Sequence, residues 1–360
     1  MKVFYIILAI VILVILAIRF FLFKIGKPVN LKISNSYFHH YRKKLIVYSP
    51  LGNWFELGYF ESTADVATFQ PLNQDFGKDK NSVFWKGRKQ LVDCNTFEID
   101  GFIIKDKNYV YNTNGNKFDE LEIIKDADPK TYQLLDSSIE NYQRINWFKD
   151  INAVYYKNKK IEGDPHTFKP LNDAIAIDAN FIYAIINYRG EGIEMLEVNQ
   201  VIRKHKMIDG EIRPINETYV QIGNSVVSAF TKAEFELHVF DSITTVKTID
   251  YWSIIVDNVL ICKGIIFPDV DAHTFEVLDY NFSKDKSSIY YDCEKINHAD
   301  YSSFKIISDE YSKDAKQVYF KNNVVKGANP ETIKSSSEYG IWEDENNKYK
   351  NGEVLSSDKA

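Results

Sequence analysis

Phe76-Gly77-Lys78-Asp79 followed by Val83-Phe84-Trp85 decides the fold, because the same phrase returns three more times in nearly the same words. It recurs as Phe148-Lys149-Asp150 with Val154-Tyr155-Tyr156, as Phe282-Ser283-Lys284-Asp285 with Ile289-Tyr290-Tyr291, and as Tyr311-Ser312-Lys313-Asp314 with Val318-Tyr319-Phe320. In each copy a β-branched residue stands four places after the aspartate. Looser copies share the frame: Lys105-Asp106 with Val110-Tyr111, Asp178 with Ile182-Tyr183, Asp257 with Ile261, and Asp344 with Tyr349. The aspartate anchors lie 27 to 30 residues apart from Asp79 to Asp106, from Asp150 to Asp178, and from Asp257 through Asp285 and Asp314 to Asp344. That period belongs to solenoids and propellers.

A second phrase precedes the first in register. It reads Ala64-Asp65-Val66-Ala67-Thr68-Phe69, Ala127-Asp128-Pro129-Lys130-Thr131-Tyr132, Asp164-Pro165-His166-Thr167-Phe168, Asp271-Ala272-His273-Thr274-Phe275 and Ala328-Asn329-Pro330-Glu331-Thr332-Ile333. Asp before Pro favours a cap followed by a first helical position, so this phrase predicts one short helical turn between units. The anchor phrase predicts β structure, since apolar β-branched and aromatic residues flank an Asp that tolerates turn geometry and bonds its own backbone. A further turn is expected at Asn158-Lys159 and at Asn322-Asn323, which makes each unit three or four short antiparallel strands. One such unit cannot cover both faces of its strands, so neighbours must stack.

At Asp106-Lys107-Asn108-Tyr109-Val110-Tyr111 the chain resembles the DKNYY family of bacterial repeat proteins, whose defining words stand there almost literally. The resemblance extends over roughly residues 65–353 and is weakest in a divergent segment, 187–248. It implies the repeat fold and carries over no catalytic, cofactor or binding residues. The expectation is an all-β array of ~28–30-residue hairpin or meander repeats over residues 28–360, open like a solenoid, with a β-propeller as the alternative. The open form is favoured because the intervals from Asp106 to Asp150 and from Asp178 to Asp257 break the period.

Residues 1–27 read differently. Val3 to Ile18 contains no charge, Gly or Pro, and after Arg19 the apolar run resumes as Phe20-Phe21-Leu22-Phe23. About 20 such residues span a bilayer. With no small-x-small cleavage site after the run, the segment predicts an uncleaved transmembrane signal anchor, with the lipid bilayer as partner of residues 3–23. Lys2 favours export of the rest, whereas Arg19, Lys24, Lys27 and Lys32 pull the other way. The reading adopted is a single-pass membrane protein with an extracytoplasmic repeat domain, in the periplasm or at the cell surface.

Composition restricts function. The 44 Lys+Arg against 50 Asp+Glu give a net charge of −6 without long runs of one sign, which argues against a nucleic-acid footprint. Cys94, Cys262 and Cys293 are odd in number; Cys262 and Cys293 sit in comparable parts of neighbouring units, so one bridge is available and a reduced set is equally open. His39-His40 and the scattered His166, His205, His238, His273 and His298 lack metal-ligand spacing, and Asp269 with Asp271 misses the Gly and late Glu of a calcium loop. No phosphate loop, nucleophile elbow or Cys–His pair is present. No catalytic, cofactor or metal residue is assigned, and the chain is read as a non-enzyme. The repeated Lys-Asp pairs read as turn-starting aspartates beside solvated lysines, and of each doubled aromatic one ring is expected in the core and the other on an outer or inter-unit face. The expected function is a membrane-anchored surface for a protein or cell-envelope polymer. The alternatives are a carbohydrate-binding module, or a hydrolase with its site in 187–248.

Overall fold

The structure is a computed structural model that describes residues 11–16, 26–113, 120–136, 146–189, 198–230, 236–279 and 281–355. Its chain divides into two compact units, Met1–Asp136 with Gln143–Phe168, and Ser137–Tyr142 with Lys169–Ala360. Among the described residues the strands form ten small antiparallel sheets, each a simple meander. The first has three strands, within 37–62, and the others have four, within 70–89, 98–123, 133–161, 169–206, 212–239, 246–267, 276–295, 305–324 and 334–354. The all-β repeat is therefore present, and the strand count per unit is as read from the phrases.

The second sheet shows how sequence makes a unit. Gln70–Pro71 pairs with Phe76–Lys78, which turns at Asp79 and pairs with Val83–Trp85, which pairs in turn with Arg88–Lys89. The last turn is two residues long, and both Lys86 and Gly87 have positive φ, 49° and 80°. Lys157-Asn158 repeats this geometry at 46° and 67°, the mirror-image turn whose twist matches paired strands. The Asp-Pro phrase makes its expected helical turn: the Tyr132, Phe168 and Ile333 N–H groups donate to the carbonyls of Asp128, Asp164 and Asn329 at 2.9–3.0 Å.

Within each unit the apolar clusters lie between consecutive sheets. Tyr37, Tyr48, Phe69 and Phe84 join the first two sheets, and Phe76, Val83, Trp85, Phe97 and Ile104 join the second to the third. Strand alternation explains the division, since neighbouring residues point to opposite faces. Val83, Val110, Val154, Ile182, Ile289 and Val318 are all buried, as one register position demands. Of the doubled aromatics, Tyr155 with Tyr156 and Tyr290 with Tyr291 are all buried, whereas Phe320 beside Tyr319 is half-buried; Tyr155 packs with Tyr132, and Tyr156 meets Trp147 edge-on. Tyr290 packs toward the preceding sheet and Tyr291 toward the following one, so the second ring lines an inter-unit face and not an outer one. Phe69, Phe97, Tyr132, Phe168 and Phe275 are buried at the junctions, whereas Phe304 is only half-buried against Phe282 and Tyr319.

The divergent segment keeps the fold. Phe181–Arg189 and Val198–Lys206 form the longest strand pair, and a complete four-stranded sheet follows from Ile212–Pro214 to Glu236–Val239. The anchor expected over residues 3–23 falls largely outside the described residues. Residues 11–16 are helical with exposed side chains, and among the described residues no helix is long and apolar enough to cross a membrane.

Candidate functional site

The repeated aspartate is where polar chemistry concentrates. Asp106 sits at the end of Ile103–Lys105, where its Oδ1 accepts the N–H groups of Asn108 and Tyr109 at 2.7 and 2.9 Å and thereby closes the turn. Its Oδ2 accepts the Asp93 N–H and the Tyr111 hydroxyl, both at 2.7 Å. One carboxylate thus joins a hairpin, the preceding helical turn and the strand that returns from it. Asp150, Asp285, Asp314 and Asp344 repeat all of these contacts, with Tyr155, Tyr290, Tyr319 and Tyr349 as phenol donors and the N–H groups of Asp128, Asp271, Asp300 and Asn329 as the third arm. Asp79 has the turn and the Asp65 N–H, but Phe84 stands where the phenol would be.

Charge is kept on Asp106, Asp285, Asp314 and Asp344 by donors rather than by cations. Burial works against ionisation of Asp285, but the Tyr290 hydroxyl and the N–H groups of Asp271, Ser287 and Ser288 outweigh it and lower its pKa to about 2. Asp106, Asp314 and Asp344 are lowered against the same burial by equivalent donors. The phenols respond in the opposite sense: burial, then the carboxylate, pushes Tyr349 up to about 12, and Tyr111, Tyr155, Tyr290 and Tyr319 rise for the same two reasons. A carboxylate whose lone pairs are filled by four internal donors has no room for a ligand.

Three of the paired lysines are also occupied. Lys105, Lys149 and Lys313 donate from Nζ to the carbonyls of Pro129, Pro165 and Pro330 in the following helical turn, at 3.1, 3.0 and 2.7 Å. These lysines are half-buried, so the expectation of solvated side chains is corrected: they tie one sheet to the turn leading into the next. The lysine after the anchor is the exposed one. Lys80, Lys107 and Lys286 pair with Asp65, Asp93 and Asp271 at 2.6–3.0 Å, and the last of these uses up the supposed calcium-loop aspartate.

Asp257 departs from its expected place. Val256 pairs with Val259 across a two-residue turn, so Val256 occupies the anchor position and Ile261 the phenol position, while Asp257 caps the Thr244 and Thr245 N–H groups. The preceding sheet has the same substitution. Ile222 pairs with Ser225, which puts Ile222 in the aspartate's place and Val227 in the tyrosine's. All four replacements are fully buried. The signal was available, since Gly223-Asn224 and Asp257-Asn258 between apolar runs spell a two-residue hairpin turn.

The remaining candidates are structural in their contacts. Cys262 and Cys293 form a disulfide between the seventh and eighth sheets. Gly87 and Gly352 hold the corresponding turn position elsewhere, where an added Cβ would fall within 3 Å of Tyr48 or Phe320 of the preceding sheet. At Cys293 and Cys262 that contact becomes a covalent bond. His40 Nδ1 accepts two N–H groups of its own hairpin, and His238 Nε2 lies 2.6 Å from the Gly264 carbonyl. In the divergent segment the Ser228 hydroxyl and the Phe230 N–H both donate to Glu236. Among the described residues no group of three His, Cys, Asp or Glu could hold a metal ion. An open cleft of about 470 Å³ lies beside Tyr48, Leu57, Tyr59, Phe60 and Arg88.

The sequence model of the DKNYY family matches residues 102–353, more than half of the chain, and the chain belongs to that family. No curated protein and no solved structure matches it.

Proposed function

We propose that this DKNYY-family chain is a membrane-tethered, non-catalytic repeat protein whose open array of stacked units displays an extended surface, outside the cytoplasm, to a protein or cell-envelope polymer. The observation that carries the reading is the internal use of most recurring polar groups. The anchor aspartates, their phenols and the preceding Lys105, Lys149 and Lys313 are consumed in holding units together, so what the array offers a partner is mainly the non-repeating surface, as in other stacked-repeat proteins. The apolar run of residues 3–23 supplies the tether. The Cys262–Cys293 bridge favours an oxidising compartment. Protease added to spheroplasts should degrade the repeat domain while a cytoplasmic marker survives, and cross-linking on whole cells should capture one recurrent envelope partner. Protection from protease would place the domain on the cytoplasmic face.

A carbohydrate-binding reading has one observation in its favour. Trp252 is 46% exposed, with Tyr251 edge-on at a centroid distance of 4.7 Å, which is the kind of aromatic face that stacks on sugars. Titration of envelope glycans against Trp252→Ala would separate this reading from a protein partner.

A further inference from the structure

The first sheet, the segment that leads into it and the loop between its second and third strands lack the aspartate anchor, and they carry a different surface. Leu31, Ile33, Leu51, Phe55, Leu57 and Tyr59 are all exposed, Leu51 by 68% and Phe55 by 77%, a density of large apolar side chains that no later stretch of equal length matches among the described residues. Leu51 is held there by its backbone. Its φ of 52° is left-handed, a region leucine avoids, and its N–H is pinned to Ser36 Oγ at 3.0 Å. The following turn, Trp54–Leu57, is closed by Asn53 at one end and Gly58 at the other, and leaves Phe55 and Leu57 outward.

The patch lies close to where the chain arrives from its apolar N-terminus. Lys27 accepts the His39 N–H through its carbonyl at 2.7 Å, and the Val29 N–H donates to the Tyr37 carbonyl, so residues 27–29 run antiparallel beside Tyr37–His39. Leu51 is bonded to the residue just before that strand. At about 3.3 Å per residue, three strand positions place the patch roughly 10 Å from the point where residues 3–23 join the fold. The same stretch is strongly cationic: between Gly26 and Tyr59 stand Lys27, Lys32, Arg42, Lys43 and Lys44 against Glu56 alone, and among the described residues only Lys43 of the five has a carboxylate partner, Glu61.

We propose that Leu31, Ile33, Leu51, Phe55 and Leu57 sit in the interfacial layer of the bilayer that the N-terminal segment enters, with the flanking cations on anionic headgroups, so that the first sheet is docked on the membrane and sets the orientation of the units that follow. The proposal rests on the tether reading of residues 3–23. Apolar side chains beside a cationic rim are what an anionic membrane surface selects, each group reinforcing the other.

The test uses the full-length chain in vesicles of phosphatidylcholine and phosphatidylglycerol, with Cys94→Ala as background. A bimane label is placed in turn at Leu13→Cys and at Phe55→Cys, and quenching is measured with lipids brominated near the end of the acyl chain for position 13 and near its headgroup end for position 55. Both labels should lose about half or more of their emission, since the middle of a span lies about 15 Å deep and an interfacial side chain about 5–10 Å deep, each where its bromines are. Adding Leu51→Asp and Leu57→Asp should reverse the loss at position 55 about twofold without affecting position 13. Quenching at 13 but not at 55 overturns the docking and leaves the tether intact. Quenching at neither overturns both.

Discussion

The ninth sheet and the seventh solve one position in opposite ways. In the ninth, Asp314 is buried and filled by the N–H groups of Asp300, Lys316 and Gln317 and by the Tyr319 hydroxyl. In the seventh, Val256 and Ile261 occupy the same two places and meet through apolar packing. The backbone meander is common to both. What the sixth and seventh sheets have lost is therefore a hydrogen-bond code, not the fold. A buried polar network contributes only when complete, and an apolar pair of similar volume replaces it at little net cost, provided both members change together.

Breaking one member of the network should have the largest effect. Asp314→Ala strands three N–H groups and a phenol, and should cost about 3–5 kcal/mol in a denaturant titration. Ile261→Ala in the apolar version should cost about 2–4 kcal/mol, from transfer and cavity alone. The reverse graft sharpens the contrast. Val256→Asp places a carboxylate opposite Ile261, which offers no hydroxyl, and should destabilise by about 3 kcal/mol or more.

The disulfide comes next. It closes a loop across a sequence separation of 31 residues between the seventh and eighth sheets. Replacing both Cys262 and Cys293 with Ala should lower stability by about 2–4 kcal/mol, measured by thermal or chemical unfolding, with a fully reduced wild type matching the variant.

Smaller effects test single hydroxyls. Tyr319→Phe removes one donor from Asp314 and should cost about 1–2 kcal/mol. Tyr132 presents the contrary case, since its ring fills a junction where most units use Phe and its buried hydroxyl has no hydrogen-bond partner among the described residues. Tyr132→Phe should raise stability by up to about 1 kcal/mol. Phe84→Tyr would restore to Asp79 the phenol its unit lacks and should be neutral or stabilising by less than about 1 kcal/mol.

The phrases made most of this architecture legible before any coordinates. Four places from Asp to a β-branched residue predicted burial at Val83, Val154, Ile289 and Val318, because fixed spacing on a strand fixes the face. Asp-Pro predicted the helical turns, because capping is local chemistry. The phenol at five places after Asp stands in the sequence too, but its bond to that Asp is not legible there, since a carboxylate starting a turn is usually exposed. Asp257 was misplaced because Ile261 happens to satisfy the same offset, whereas the pairing of Val256 with Val259 depends on turn length rather than on spacing. Half-burial of Phe304 depends on the shape of its neighbours, which no spacing encodes.

The central claim is that the recurring sequence encodes a network of ionised aspartates, and its most direct test is acid titration resolved by sheet. Asp106, Asp285, Asp314 and Asp344 have folded-state pKa values below that of the unfolded chain, so their contribution is complete above about pH 4 and is lost as pH falls through the folded value, about 2 for Asp285. Hydrogen exchange, corrected for intrinsic rate and followed from pH 5 to pH 2, should show protection falling at Tyr311–Lys313 and Val318–Phe320 while Tyr219–Ile222 and Ser225–Ser228 retain theirs. Equal loss in both sheets, or earlier loss in the sheet without the aspartate, would contradict it.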